Sequence, residues 1–220
     1  MDYANESLSD IVLKIPMASE LFRKNRLDFC CGGKKILKDA CAERNLNMDD
    51  VMASLKVLET KEGISSEETR PLSEITAFVV KRYHDDLRAR LPELVFLADK
   101  IERVHHDHAD CPRGLAALMQ NITDELFSHM MKEENILFPM INAGQGGQAG
   151  MPINRMMFEH DAHGKDLDKI HGLTNSFNPP AEACGSWRAL YKGLQDFEAE
   201  LMEHIHLENN VLFPRALGNG

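Results

Sequence analysis

The chain has 220 residues, 43% apolar and 27% charged, the balance of a folded protein with room for one medium domain and one smaller one. Its formal net charge of −10 leaves no basic surplus to offset phosphate repulsion, which argues against a nucleic-acid partner. No run of eighteen apolar residues occurs, so no membrane span is expected. The acidic, polar start MDYANESLSD is unlike a secretory signal, and five cysteines, an odd number, point to reduced thiols in the cytoplasm.

No alternating strand pattern of useful length appears, so the chain reads as all-α. A small helical domain is expected over residues 1–60. Pro16 can open a helix in PMASELFRKN, and Asp49 or Asp50 can cap another in DDVMASLKVLE. Between them, LDFCCGG sets Cys30 beside Cys31, and Gly32 and Gly33 allow a turn that exposes both sulfurs. Vicinal cysteines chelate poorly in the manner of a zinc knuckle, and a disulfide between them would be easily reduced. A functional thiol pair is the favoured reading. The polar stretch ending at Pro71 reads as a linker over 61–71. Four longer helices follow: about 72–105, with a kink at Pro92, then 112–141, 152–172, and one from NPP to about 217. Short connections between long helices imply an antiparallel up-down four-helix bundle over 72–220.

The second and fourth of these helices carry nearly the same phrase, HMMKEENILFP from residue 129 and HIHLENNVLFP from residue 204. Leu115, Met119, Ile122, Leu126, His129 and Glu133 follow one another at steps of three and four, which is one helix face. Leu190, Leu194, Phe197, Leu201, His204 and Glu208 do the same at a constant offset of 75 residues (204 − 129). Each histidine and glutamate therefore stands where the core-facing stripe should be apolar. A buried carboxylate without a partner is costly, and two would repel each other; a cation between them removes both problems. Helices one and three add the seams Ala77, Val80, His84, Leu87, Leu91 and Ile153, Met156, His160, His163, Leu167. The bundle thus reads as a duplicated helical hairpin, each half giving one His and one His-x-x-x-Glu. At about 1.5 Å of rise per residue, all six side chains fall within a turn or two of one layer.

Four imidazoles and two carboxylates exceed what one tetrahedral zinc accepts, and no thiolate is placed to join them. Bridging carboxylates with terminal imidazoles fit two non-haem irons, with room for a bridging oxygen or a diatomic ligand. His163 reads as a core histidine, with ligation or support of a ligand left open. His105 lies too far along its helix to join the pair and suits the helix end, His106 and His108 a loop, His171 and His206 the surface. Glu125 and Glu159 belong to a solvated face or a polar path for protons or iron. Cys41 reads as core, Cys111 and Cys184 as isolated residues, and the methionines as packing.

The histidine–glutamate pairs with EEN-x-LFP and ENN-x-LFP, preceded by RYHDDLRARLPEL and by LDFCCGG, resemble the hemerythrin-like fold and, within it, the iron–sulfur cluster repair di-iron proteins of the Repair of Iron Centres family. The resemblance covers essentially the whole chain. It implies a cytoplasmic protein with an Fe–O–Fe type di-iron centre that rebuilds iron–sulfur clusters damaged by nitrosative or oxidative stress. His84, His129, His160 and His204 would be terminal ligands, and Glu133 and Glu208 the bridges. Damaged cluster proteins or cluster scaffolds would be its partners, and NO or O2 its small ligands. A nitric oxide reductase, an enzyme, and a hemerythrin-like oxygen or NO sensor, a binding module, are the rival readings. The oligomeric state stays open, a homodimer among the options.

Overall fold

The computed structural model describes residues 3–59 and 70–218, so the expected linker falls almost wholly outside it. All its regular elements are helical, apart from an isolated bridge between Ser7 and Ile36. The chain forms two compact units, one made of Met1–Ile75 with Met202–Gly220, the other of Thr76–Leu201.

The first unit contains α1 (Leu8–Lys14), α2 (Ala18–Lys24), α3 (Leu37–Glu43) and α4 (Met48–Glu59). α1 is only seven residues long, and it is stabilised where its backbone would otherwise lack partners: Ser7 Oγ accepts the Asp10 N–H at 3.1 Å. Asp49 and Asp50, expected as caps, lie instead in the first turn of α4. Its cap is Asn47, whose Oδ1 accepts the Asp49 N–H at 2.9 Å. Tyr3, Leu8, Ile11, Phe22, Leu27, Phe29, Leu37 and Leu55 form the core of this unit.

Farther along the chain, α5 (Leu72–Val79) passes through a π-helical turn (Val80–His84) into α6 (Asp85–Val104). α7 (Leu115–Lys132) passes through a second π turn (Glu133–Leu137) into α8 (Phe138–Asn142), and α9 spans Gly150–Leu173. α10 spans Gly185–Leu207; a third π turn (Glu208–Leu212) and α11 (Phe213–Ala216) follow it in the chain. Neighbours run antiparallel. Arg82 meets Glu200 at one end of α6, where Nη1 donates at 2.9 Å, and Lys100 meets Ser186 toward the other at 3.0 Å. Leu87, Leu91, Leu94, Met119, Ile122, Leu126, Ile153, Met156, Leu190, Leu194 and Phe197 fill the interior, as their helical spacing requires. α6 continues through Pro92.

The π turns are the departure from the expected pattern. Ala77 and Val80 were expected on the seam, but Ala77 is exposed, and Ile75, Thr76 and Val79 are buried instead. One extra residue in the turn 80–84 rotates everything before His84 by one position. In the other two turns the backbone carbonyl of the glutamate itself accepts the wide bond, Phe138 N–H to Glu133 O and Phe213 N–H to Glu208 O. The following Pro139 and Pro214 explain why. A proline has no N–H to give and collides with the carbonyl four residues back, and a widened turn moves that carbonyl away.

Candidate metal centre

Within the Thr76–Leu201 unit, three helices deliver His84, His129, Glu133 and His160 to one buried layer, each at most 1% exposed. The two oxygens of Glu133 face different imidazoles. Oε1 lies 3.4 Å from His129 Nε2, and Oε2 lies 3.4 Å from His84 Nε2. On the His129 side, His160 Nε2 stands 3.0 Å from His129 Nε2, and the ligand atoms of His129, Glu133 and His160 lie within 4.8 Å of one another. A single carboxylate thus has an imidazole nitrogen beside each of its oxygens.

The tautomers agree with that chemistry. His84 Nδ1 donates to Glu134 Oε1 at 2.6 Å, and His129 Nδ1 donates to Glu159 Oε2 at 2.9 Å. A proton held on Nδ1 leaves the Nε2 lone pair directed inward, as a metal ligand needs. The supporting carboxylates are themselves held by cations. Arg88 donates to Glu134 at 2.7 Å; Lys132 and Arg155 donate to Glu159 at 2.5 and 2.7 Å. Burial alone would raise the Glu159 carboxyl, but the hydrogen bonds from His129, Lys132 and Arg155 overcome it and lower its pKa to about 2. Glu159→Ala should weaken iron binding by about 10- to 100-fold, with the fold intact by circular dichroism, because it removes the acceptor that orients His129. A competition titration with a chelator checks it. The sequence offers Glu159 either a solvated face or a polar path; in the structure it stands behind His129. Glu134 was not singled out, although the doubled glutamate EE was the available signal.

Within the other unit, His204 and Glu208 are 1% and 0% exposed, with Nε2 3.1 Å from Oε1. The same segment holds the cysteine loop. Asn209 Nδ2 donates to the Cys30 carbonyl at 3.2 Å, and Asn210 Nδ2 reaches the Phe29 and Cys30 carbonyls at 3.4 Å. His206 was expected on the surface. It is buried instead, its ring 5.5 Å from Phe29, and burial pushes its pKa down to about 4. The loop is built on Asp28, whose Oδ1 accepts the N–H groups of Cys30 and Cys31 at 3.1 and 2.9 Å and whose Oδ2 accepts that of Gly32 at 2.9 Å. The two sulfurs are 3.6 Å apart and reduced. The neighbouring Cys31 thiol, burial and Asp28 push the Cys30 thiol well above its ordinary range. Gly33 has no room for a side chain, since a Cβ there would collide with the Phe29 carbonyl and Ser9. Gly33→Ala should destabilise the protein by about 1–3 kcal/mol in urea unfolding.

The remaining histidines divide by position. His163 is buried with its ring edge-on to His129, centroids 5.5 Å apart. His105 closes α6, and its Nε2 lies 3.3 Å from Cys184 Sγ. His106 and His108 follow in the loop. His171 is not a free surface residue, for it pairs with Glu198 at 2.6 Å.

A helical bundle whose core holds histidines and glutamates at these spacings is a hemerythrin-type metal protein. Residues 77–216 match the family described as hemerythrin HHE cation binding domain, and residues 4–59 match the ScdA_N domain of unknown function. The chain is 52% identical over 218 residues to a protein of Yersinia pseudotuberculosis serotype O:1b (strain IP 31758) named iron-sulfur cluster repair protein YtfE, covering 99% of both chains. A protein of the same name from Yersinia pestis (strain Pestoides F) matches with the same identity and coverage. The chain belongs to this family of hemerythrin-domain cluster repair proteins. No helix among the described residues is long and apolar enough to cross a membrane.

Proposed function

We propose that the protein repairs iron–sulfur clusters by holding labile iron in an oxygen-bridged di-iron centre and donating it to damaged clusters or to their scaffolds. The observation that carries this reading is the Glu133 carboxylate, with one oxygen toward His84 and the other toward His129. His84, His129, His160 and His204 would be the terminal ligands, and Glu133 and Glu208 the shared carboxylates. The repeat supports the second half of this assignment, since His204 and Glu208 reproduce the spacing, burial and π turn of His129 and Glu133. The mixed nitrogen and oxygen set suits ferrous and ferric iron and leaves a position at each metal for NO or O2. Residues 72–220 would form the metal-carrying part and residues 1–60 the thiol-carrying part.

The residues contribute in distinct ways. Glu134 and Glu159 orient the imidazoles, and the buried layer keeps bulk water from the metals. Cys30 and Cys31 provide soft donors, and the raised Cys30 thiol keeps its proton until a cation displaces it.

Iron-loaded protein, mixed with an apo cluster scaffold, a cysteine desulfurase and cysteine, should rebuild clusters faster than an equal amount of ferrous salt. Equal rates would refute donation.

A further inference from the structure

The loop around Cys30 and Cys31 holds a group of metal-ligating atoms outside the histidine–glutamate set. One ligand atom each from Asp28, Cys30 and Cys31 lies within 4.8 Å of the other two. Neighbouring residues of an extended chain point to opposite faces, which is why adjacent cysteines chelate poorly there. Here the turn held by Asp28 brings both sulfurs to one side, 3.6 Å apart, and the Cys30 thiol donates to Asp28 Oδ1 at 3.2 Å. The carboxylate is fixed where it stands. It accepts three backbone N–H groups, and a Cβ added at Gly32 would come within 3.1 Å of Asp28 Oδ2. Cys30 is 3% exposed, whereas Cys31 is half-buried and Asp28 exposed, so the group opens to solvent on the Asp28 side.

We propose that Asp28, Cys30 and Cys31 form a site for one thiophilic divalent cation of the Zn2+ class, with water as its fourth ligand. The spacing is close to what a tetrahedral ion requires. Zinc–sulfur bonds of about 2.3 Å and a zinc–oxygen bond of about 2.1 Å set an edge of about 3.8 Å between sulfurs and about 3.6 Å between sulfur and oxygen. Closing on an ion therefore opens the two observed edges by only about 0.2 and 0.4 Å. The electrostatics favour a cation as well. The neighbouring Cys31 thiol, burial and Asp28 together push the Cys30 thiol well above its ordinary range. Anionic sulfurs beside a carboxylate repel one another, and a divalent ion among them turns that repulsion into shared attraction. As each metal–sulfur bond forms, that sulfur's S–H bond breaks and its proton passes to solvent, two protons per ion bound.

This site rests on the soft-donor role of the thiols and gives them a third ligand, but it needs no iron elsewhere in the chain. Full-length protein, reconstituted with iron and with its thiols reduced, is titrated anaerobically with Co2+ while difference spectra are recorded. One Co2+ per chain should produce the visible bands of a tetrahedral ion and a thiolate-to-cobalt charge-transfer band in the near ultraviolet. One equivalent of Zn2+ should bleach both. The histidine–glutamate set contains no sulfur and cannot give the charge-transfer band. Cys31→Ser should abolish that band. Asp28→Asn, which keeps an acceptor for the Cys30 and Cys31 N–H groups, should weaken Co2+ binding at least about tenfold. Cys184→Ser, at the exposed thiol, should leave the spectrum unchanged. Absence of the charge-transfer band from the wild-type chain would overturn the site however the variants fold, and so would a band that survives Cys31→Ser or is lost with Cys184→Ser. A chain that takes up no iron yet shows the cobalt band would refute the proposed function and leave this site standing.

Discussion

Glu133→Leu should strip the protein of iron at both positions, whereas His84→Ala should remove it from one side only. The asymmetry follows from geometry, since the carboxylate offers an oxygen to each side and the imidazole serves one. The same substitution should have opposite effects on the two states of the protein. With iron present, wild type gains stability by mass action and the variant does not, so the holo wild type melts higher. With iron removed, the fully buried Glu133 carboxylate loses the cation that balances its charge. A leucine of similar volume removes that cost, so the apo variant should match or exceed apo wild type by up to about 4 kcal/mol. Iron analysis and paired thermal melts, before and after chelation, check both statements. A variant that kept its full iron would show that Glu133 is not the bridge.

The apolar seams of α7 and α10 and their histidines and glutamates were legible in the sequence because helical periodicity is local, and a duplicated phrase doubles the signal. Two kinds of feature were not. The π turn at 80–84 displaced the seam before His84, since one inserted residue leaves no mark on composition, so Ala77 was placed inside and is outside. The turns after Glu133 and Glu208 did leave a mark, the proline six residues on, but it is readable only once a helix is known to continue past it. Long-range polar contacts formed the second kind. His206 sits in a polar stretch and looked exposed, yet its partner Phe29 is 177 residues away. Glu134 and Glu159 lie off the seam, and nothing in their spacing shows that each meets an imidazole from another helix.

Cys30→Ser with Cys31→Ser should leave iron content and melting temperature close to wild type while cluster repair falls by at least about tenfold. The loop is fastened through the main-chain carbonyls of Phe29 and Cys30, to which Asn209 and Asn210 donate, and through backbone N–H groups that Asp28 accepts. Neither sulfur is needed for that fastening. A serine hydroxyl at position 30 can still donate to Asp28, as the thiol does at 3.2 Å, so stability should move by no more than about 1 kcal/mol. What the hydroxyl cannot do is ionise near neutral pH and bind a soft cation, which a thiol does once metal displaces its proton. Asn210→Ala provides the contrast. It keeps both sulfurs but loosens their loop, and should cost about 1 kcal/mol in urea unfolding. Repair at the wild-type rate by the double serine variant would remove the thiols from the reaction and leave the metal centre to act without them.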